Sequence, residues 1–468
     1  MTLPKSTIKK IAPLLFLLLA GCLVVFYQYL SIPKNTTFDE IEFAKLALQL
    51  GKQPYAPYSQ LATGHATLYF YIILLSFKLF GVSLFALRLP AAVFGILNPL
   101  IFYLIMKKIF NPSCHPELVL GSSINTKMLK PVQHDNFFLK YQPFILSLIF
   151  ITLRWYFNFA RFGFEVTFLL FLELMSLYFM FKYTDVILNL VQDLKKMPKQ
   201  VRHDKIWLVF SGIFAGLAYN SYQPGRIFVL IPLFLLLVKG FVIPALRIGG
   251  GIQAKITSLM YFLIPFFILI LPLIIYLNIH KDTRFYQQFY PDNHEMTLDE
   301  KGQFFMRNLS STAGIFLVNG DVNGRHNYPN KAALNPMLGV LFLAGLLIAI
   351  KKIKERNNQL FLLWFFLSLA PTLVTYPWEN PNMLRTFTVI PSVVYFVGLA
   401  IKKLSDVSIL QKPALKNVFI IMIFMLISVS SLYELRTYFV HQAQVFKEAF
   451  ETERDLIYYL NPSDVPKK

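Results

Sequence analysis

Runs of Leu, Ile, Phe and Val recur along this chain at the length of a bilayer crossing, separated by short polar segments. A crossing helix needs about 20 consecutive apolar residues, because lipid offers the backbone no hydrogen-bond partner and only a helix satisfies every peptide group internally. The runs fall at roughly 11–30, 86–106, 141–157, 164–181, 206–221, 226–239, 257–278, 336–350, 359–375, 385–401 and 416–432. A soluble fold has no interior large enough for so many, in a chain of 468 residues that is 56% hydrophobic and only 15% charged. The pattern predicts an all-α polytopic membrane protein with about eleven transmembrane helices.

The basic residues sharpen this. The formal net charge is +20, from 45 Lys+Arg against 25 Asp+Glu. A nucleic-acid binder gathers such charge on one surface, whereas here it sits in short clusters between apolar runs, as the positive-inside rule describes. Lys107–Lys140, Lys182–Lys205, Lys239–Lys255, Lys351–Arg356 and Lys402–Lys416 are assigned to the cytosol, and no nucleic-acid partner is expected. Parity then sends 31–85, 158–163, 222–225, 279–335, 376–384 and the segment from Tyr433 onward to the extracytoplasmic side of a plasma membrane. Residues 66–80 are apolar but too short to span comfortably, and counting them as a span would reverse the side of every later loop. They are read as a helix lying along the interface, with Tyr69 and Tyr71 suited to that depth, a short buried span being the alternative. Residues 1–435 form the membrane domain on this reading, and 436–468 a short external tail. Leu19-Ala20-Gly21-Cys22 imitates a lipoprotein signal, but the apolar run continues through Leu30 and favours an anchor. Cys22 and Cys114 have no ligand or disulfide spacing.

The most informative polar stretch is Phe38-Asp39-Glu40-Ile41-Glu42, directly after the first span. Its acids open an amphipathic helix, Asp39 to Gly51, with Ile41, Ala44 and Leu48 on the apolar side. Acidic residues favour a helix N-terminus for dipole reasons alone, so capping and chemistry both remain open from this stretch taken singly. Four arginines, Arg88, Arg161, Arg226 and Arg385, lie at the external ends of expected spans, where a guanidinium either anchors a helix end or grips a phosphate at membrane depth. Glu165 stands one turn from Arg161 and can pair with it. Two Asn-x-Ser/Thr sequences, at Asn35 and Asn308, are short enough to arise by chance.

The order of these features resembles the GT-C glycosyltransferases, and within them the superfamily of the protein O-mannosyltransferases and the lipid A aminoarabinose transferase. The resemblance rests on Asp39-Glu40 after the first span, Gly51 and Pro54, an interfacial helix ending Leu79-Phe80-Gly81, and Arg88-Leu89-Pro90-Ala91-Ala92 opening a span. It continues through Arg161 and Glu165, Tyr219 to Arg226, and Arg385. The chain departs from the pattern in three places. His65-Ala66-Thr67-Leu68 replaces a Pro-Pro-Leu entry, Glu165 stands where Asp is frequent, and Tyr376-Pro377-Trp378-Glu379 is the nearest text to the oligosaccharyltransferase Trp-Trp-Asp. The last departure argues against en bloc oligosaccharide transfer.

The resemblance implies a polyprenyl-phosphate sugar donor and an acidic pair that meets the acceptor, which is a glycan, a lipid or a protein. The physics of the reaction fits these residue types. A lipid phosphate is already a good leaving group, so one base and one cation clamp suffice. Asp39 is expected as the base, or as an orienting group if the acceptor is already ionised, with Glu40 positioning the acceptor or Asp39 itself. Arg88, Arg161, Arg226 and Arg385 are the candidates for the donor phosphate, Glu165 for a second acidic site, and His65, Tyr222 and Trp378 for sugar or acceptor contacts. Asp39, Glu40 and phosphate oxygens together offer a ligand set for Mg or Mn, which four arginines equally make dispensable. The alternatives are a polytopic lipid or sugar transporter or flippase, and a surface-polysaccharide polymerase or ligase. Span interiors nearly free of charge, with Glu173 the exception, weigh against transport.

Overall fold

A computed structural model describes residues 5–61, 64–110, 137–192, 205–238, 251–280, 287–406 and 413–460. Much of the expected cytosolic loop sequence, Cys114 included, lies outside the described residues. Among the described residues the chain is a helical bundle with one two-stranded hairpin. Its helices are α1 (Lys5–Phe26), α2 (Phe38–Leu50), α3 (Leu68–Phe80), α4 (Leu84–Phe110), α5 (Phe137–Thr152), α6 (Arg154–Phe159), α7 (Val166–Gln192) and α8 (Ile206–Tyr219). There follow α9 (Leu230–Leu237), α10 (Gly251–Ile279), α11 (Leu298–Gly314), α12 (Pro336–Lys351), α13 (Arg356–Leu373), α14 (Ile390–Ser405), α15 (Pro413–Arg436) and α16 (Ala443–Ala449). Every expected apolar run is helical over most of its length. Among the described residues five helices are long and apolar enough to cross a bilayer, and α12 with α13 pass the same test together across a 120° bend. The helices at Ile11–Phe26, Leu68–Phe80, Ile206–Tyr219 and Gln223–Leu237 are apolar but shorter.

α4 is the central helix, packing on α1, α3, α5 and α7, and it carries two internal prolines. Each proline removes the N–H that would have bonded the carbonyl four residues back. Pro90 frees the Ala86 carbonyl, which accepts from Ser76 Oγ at 2.6 Å, and Pro99 frees the Gly95 carbonyl, which accepts from Tyr156 Oη at 2.6 Å. Side chains from α3 and α6 thus complete a backbone that lipid could not solvate. Elsewhere close approach selects glycine: a Cβ on Gly212 would run into the Phe262 carbonyl of α10, and one on Gly345 into the Phe396 carbonyl of α14.

Two elements were not expected. α11 is an amphipathic helix inside the long loop, opened by a capping box in which Thr297 Oγ1 accepts from Glu300 N–H and Glu300 Oε2 accepts from Thr297 N–H. The segment from Tyr433 is not a loose tail. The last span continues through a π-helical turn, Thr437–Gln442, into α16. Residues 450–460 then fold back, Phe450 being fully buried and Thr452 bonding Thr36 through both side chains at 2.7 Å.

Candidate active site

The segments that parity assigned to one side do meet. Thr36 touches Thr452, Asp39 pairs with Arg325, Asn158 bonds the Arg325 and His326 carbonyls, and Tyr376 N–H bonds the Gln288 carbonyl. At their junction lies a cavity of about 430 Å³ lined by Asp39, His65, Asp321, His326, Trp378 and Arg385 among others.

Asp39 is on the first turn of α2, which is fixed from below by its neighbour in sequence. Glu40 is fully buried. Its Oε1 accepts from Arg88 Nε and from the Gly163 N–H, both at 2.8 Å, and its Oε2 accepts from Arg88 Nη2 at 2.8 Å and from Thr37 N–H at 3.3 Å. Thr37 Oγ1 completes the capping box by accepting from Glu40 N–H. Of the two acids, then, Glu40 holds the helix and Asp39 faces the cavity. Ile41, Ala44 and Leu48 are buried as the amphipathic reading required. Asp39 is half exposed, and its Oδ2 accepts from Arg325 Nη1 at 2.7 Å.

The four arginines divide. Arg88 reaches neither this cavity nor the one beside it: its remaining donors go to the Pro33 and Asn35 carbonyls, each at 2.7 Å. Arg161 is corrected in the same way, and it does not pair with Glu165. It sits at the C-terminal end of α1, where the last carbonyls of a helix have no internal partner, and it donates to those of Val24 and Val25 and, past the helix, to the carbonyls of Tyr27, Gln28 and Ile32. Tyr438 Oη accepts from its Nε at 3.1 Å. Both guanidiniums are entirely buried and serve the frame. Arg385 and Arg226, by contrast, line open space. Arg385 is about 9% exposed, pairs through Nη2 with Glu379, and has Nη1 buried with no hydrogen-bond partner among the described residues. It forms part of the wall between the first cavity and a second of about 460 Å³, largely apolar, that Tyr222, Ile227, Phe289 and Val374 line together with the polar Gln223, Arg226 and Asp292.

His65 belongs to the hairpin that pairs Tyr58–Ser59 with His65–Ala66, which brings it to the cavity wall. Glu165 stands behind it, Oε1 lying 3.4 Å from His65 Nδ1. Trp378 is stacked on Tyr376 at 4.5 Å and about 70% exposed, and it joins the cavity to an open groove of about 770 Å³ along α11.

Sequence reasoning missed Asp321, Arg325 and His326. They sit in the loop 320–335, which is held from inside. The fully buried Asn327 donates to the Asp321 and Lys331 carbonyls at 2.9 and 2.7 Å, and accepts from the buried Arg154. The signal was present in Asp321-Val322-Asn323-Gly324-Arg325-His326, where Asp and Asn each cap the backbone two residues on, but it reads equally as any surface turn. Asn308 is also accounted for: its amide is buried and donates to the Leu373 and Thr375 carbonyls.

The expected Mg or Mn ligand set is already engaged in part. Glu40 has both oxygens occupied, Asp39 shares its carboxylate with a guanidinium, and among the described residues no group of three or more His, Cys, Asp or Glu is disposed to hold an ion.

No protein-family model matches the chain, and no curated protein matches it in sequence. Solved structures do. The archaeal oligosaccharyltransferase AglB from Archaeoglobus fulgidus, solved with an inhibitory peptide and a dolichol-phosphate, superimposes with a TM-score of 0.51 at 14% identity, over 95% of this chain and 56% of that one. ArnT from Cupriavidus metallidurans, solved bound to undecaprenyl phosphate, gives a TM-score of 0.48 at 12% identity, over 94% of this chain and 77% of that one. The chain spans little more than half the length of AglB. The AglB likeness shows the fold, a GT-C-like membrane architecture, as the order of motifs implied.

Proposed function

We propose that this protein is an inverting glycosyltransferase of the plasma membrane that transfers a monosaccharide from a polyprenyl-phosphate donor to an acceptor on the extracytoplasmic side. The observation that carries the reading is the placement of Arg385, which faces the cavity of Asp39 on one side and the apolar cavity of Arg226 on the other. An isoprenoid tail suits the apolar cavity, and its phosphate then lies between Arg226 and the unpartnered Nη1 of Arg385, which guanidinium geometry favours. The sugar projects into the cavity that Asp39 and Trp378 line. With the cation and the carboxylate contributed by different walls, an acceptor oriented by Asp39 attacks the anomeric carbon opposite the leaving phosphate, which gives inversion. Developing charge on that phosphate is stabilised where water is already displaced. Arg88, Arg161 and Glu40 fix the first external loop, and Glu165 supports His65.

The test is transfer by the purified protein from labelled polyprenyl-phosphate hexoses to membrane extract. Asp39→Asn should bind donor normally and lose transfer by a factor of about 10²–10⁴. Arg385→Ala should weaken lipid-phosphate binding by about tenfold or more, the worth of one or two charge-assisted hydrogen bonds. Equal transfer by Asp39→Asn and parent would remove Asp39 from the reaction, and consumption only of a polymer-linked donor would make the protein a ligase instead.

A further inference from the structure

The loop 320–335 brings an imidazole to the same cavity as Asp39, already oriented. His326 Nδ1 lies 2.8 Å from Asp321 Oδ2. That oxygen also accepts from Met383 N–H at 2.8 Å, and Asp321 Oδ1 accepts from Asn323 N–H at 2.8 Å, so the carboxylate is fixed at both ends. An ionised carboxylate only accepts, so the nitrogen facing it carries the proton, and Nε2 is left as the ring's acceptor. No hydrogen bond among the described residues uses Nε2, while the ring is packed by Phe159 and the residue lines the cavity. His326 also directly follows Arg325, whose guanidinium holds Asp39 at 2.7 Å, so imidazole and carboxylate approach one reaction space from adjoining positions.

We propose, resting on the transfer reaction above, that His326 is the catalytic base, that Asp321 is its positioning residue, and that Asp39 orients the acceptor. A carboxylate is ordinarily a feeble acceptor of a hydroxyl proton at neutral pH, whereas an imidazole is close to matched. In the step, the acceptor O–H proton passes to His326 Nε2 as the oxygen forms its bond to the anomeric carbon. The bond from that carbon to the donor phosphate oxygen breaks, its electron pair staying on the phosphate. The lipid phosphate leaves against Arg385, and the imidazolium returns its proton to water when product departs. The titratable groups that share the cavity are Asp39, His65, Asp321, Arg325, Glu379 and Arg385.

The experiment is the pH dependence of transfer by the full-length protein in detergent, from a labelled polyprenyl-phosphate hexose, with lipid-phosphate binding measured in parallel. The parent rate should fall on a one-proton acidic limb as the imidazole takes up its second proton. H326Q should bind lipid phosphate as the parent does, transfer about 10²–10⁴-fold more slowly, and lack the limb. D321N should keep part of the rate with the limb moved to lower pH, because the imidazolium loses its carboxylate, a shift that a merely structural role would not produce. H65Q should keep the limb in place. Parent-like transfer by H326Q, a limb lost in H65Q instead, or no limb at all would overturn the assignment and leave the transferase reading intact. A parent protein unable to transfer from any lipid-phosphate sugar would sink both.

Discussion

Arg88 and Arg385 look alike in the sequence, each a cation at the external start of an apolar run, and the structure gives them opposite work. Arg88 is sealed against Glu40 with a bidentate contact at 2.8 Å and no exposure, while Arg385 keeps a buried donor free at a cavity wall. A charge taken out of water without its partner costs several kcal/mol, so Arg88→Ala, which strands the Glu40 carboxylate, should destabilise the protein by about 3–5 kcal/mol. Thermal unfolding in detergent would measure this. Loss of transfer by Arg88→Ala without loss of stability would return Arg88 to the donor site. Helix-end position was legible, because a guanidinium is tolerated at membrane depth only there. Which way each one turned was not. That depends on which backbone carbonyls lie within reach, and those five around Arg161 come from a stretch 129 to 137 residues away in sequence. For the same reason Asp39 was separable from Glu40 in the sequence, but whether Glu40 meets the acceptor or the helix under Asp39 was not, since its partners Arg88 and Gly163 lie far along the chain.

At the level of elements, periodicity and apolar length gave nearly every helix, since each must satisfy its own backbone in lipid. The misses fall where that constraint is absent. α11 lies in the long loop, and its sign was Thr297-x-x-Glu300, a capping box legible in the sequence but unread. The continuation of α15 was hidden by Glu434 and Arg436, charges that read as the end of a span. Glu434 is buried instead, within 3.4 Å of Arg154, and accepts from Asn335 at 2.9 Å. The prolines of α4 yield a prediction. Tyr156→Phe leaves the Gly95 carbonyl unpartnered and Ser76→Ala does the same to Ala86, so each should cost about 1–3 kcal/mol. The double variant should be nearly additive, as the two hydroxyls meet carbonyls more than two helical turns apart on α4. Unfolding midpoints of the two single variants and the double variant would check this, and a neutral Tyr156→Phe would show that the helix relaxes around its proline unaided.

On the scale of the molecule, the segments expected outside converge while Lys351–Arg356 sits at the turn between α12 and α13, a helix of about 24 Å away from the loop 320–335. Among the described residues, then, carboxylates, arginines and cavities gather at one end of α12 and the basic turn Lys351–Arg356 lies at the other. With Cys22 and Cys114 replaced by serine, Ser310→Cys on α11 should react with a membrane-impermeant maleimide in intact cells. Lys352→Cys, exposed at the basic turn, should react only after permeabilisation. The opposite pattern would invert the orientation and put the reaction in the cytosol.

The tie between Thr36 and Thr452 has a consequence in time. A polytopic chain enters the bilayer helix by helix, so α2 and its carboxylates emerge early in synthesis, yet the threonine that clasps the strap before them and the Phe450 ring under Arg88 are made more than 400 residues later. Until that last stretch is threaded through, the first loop lacks its backstop. A ribosome-bound intermediate would display the acidic motif without the architecture that aims it, so that on the proposed function transfer waits for the end of synthesis.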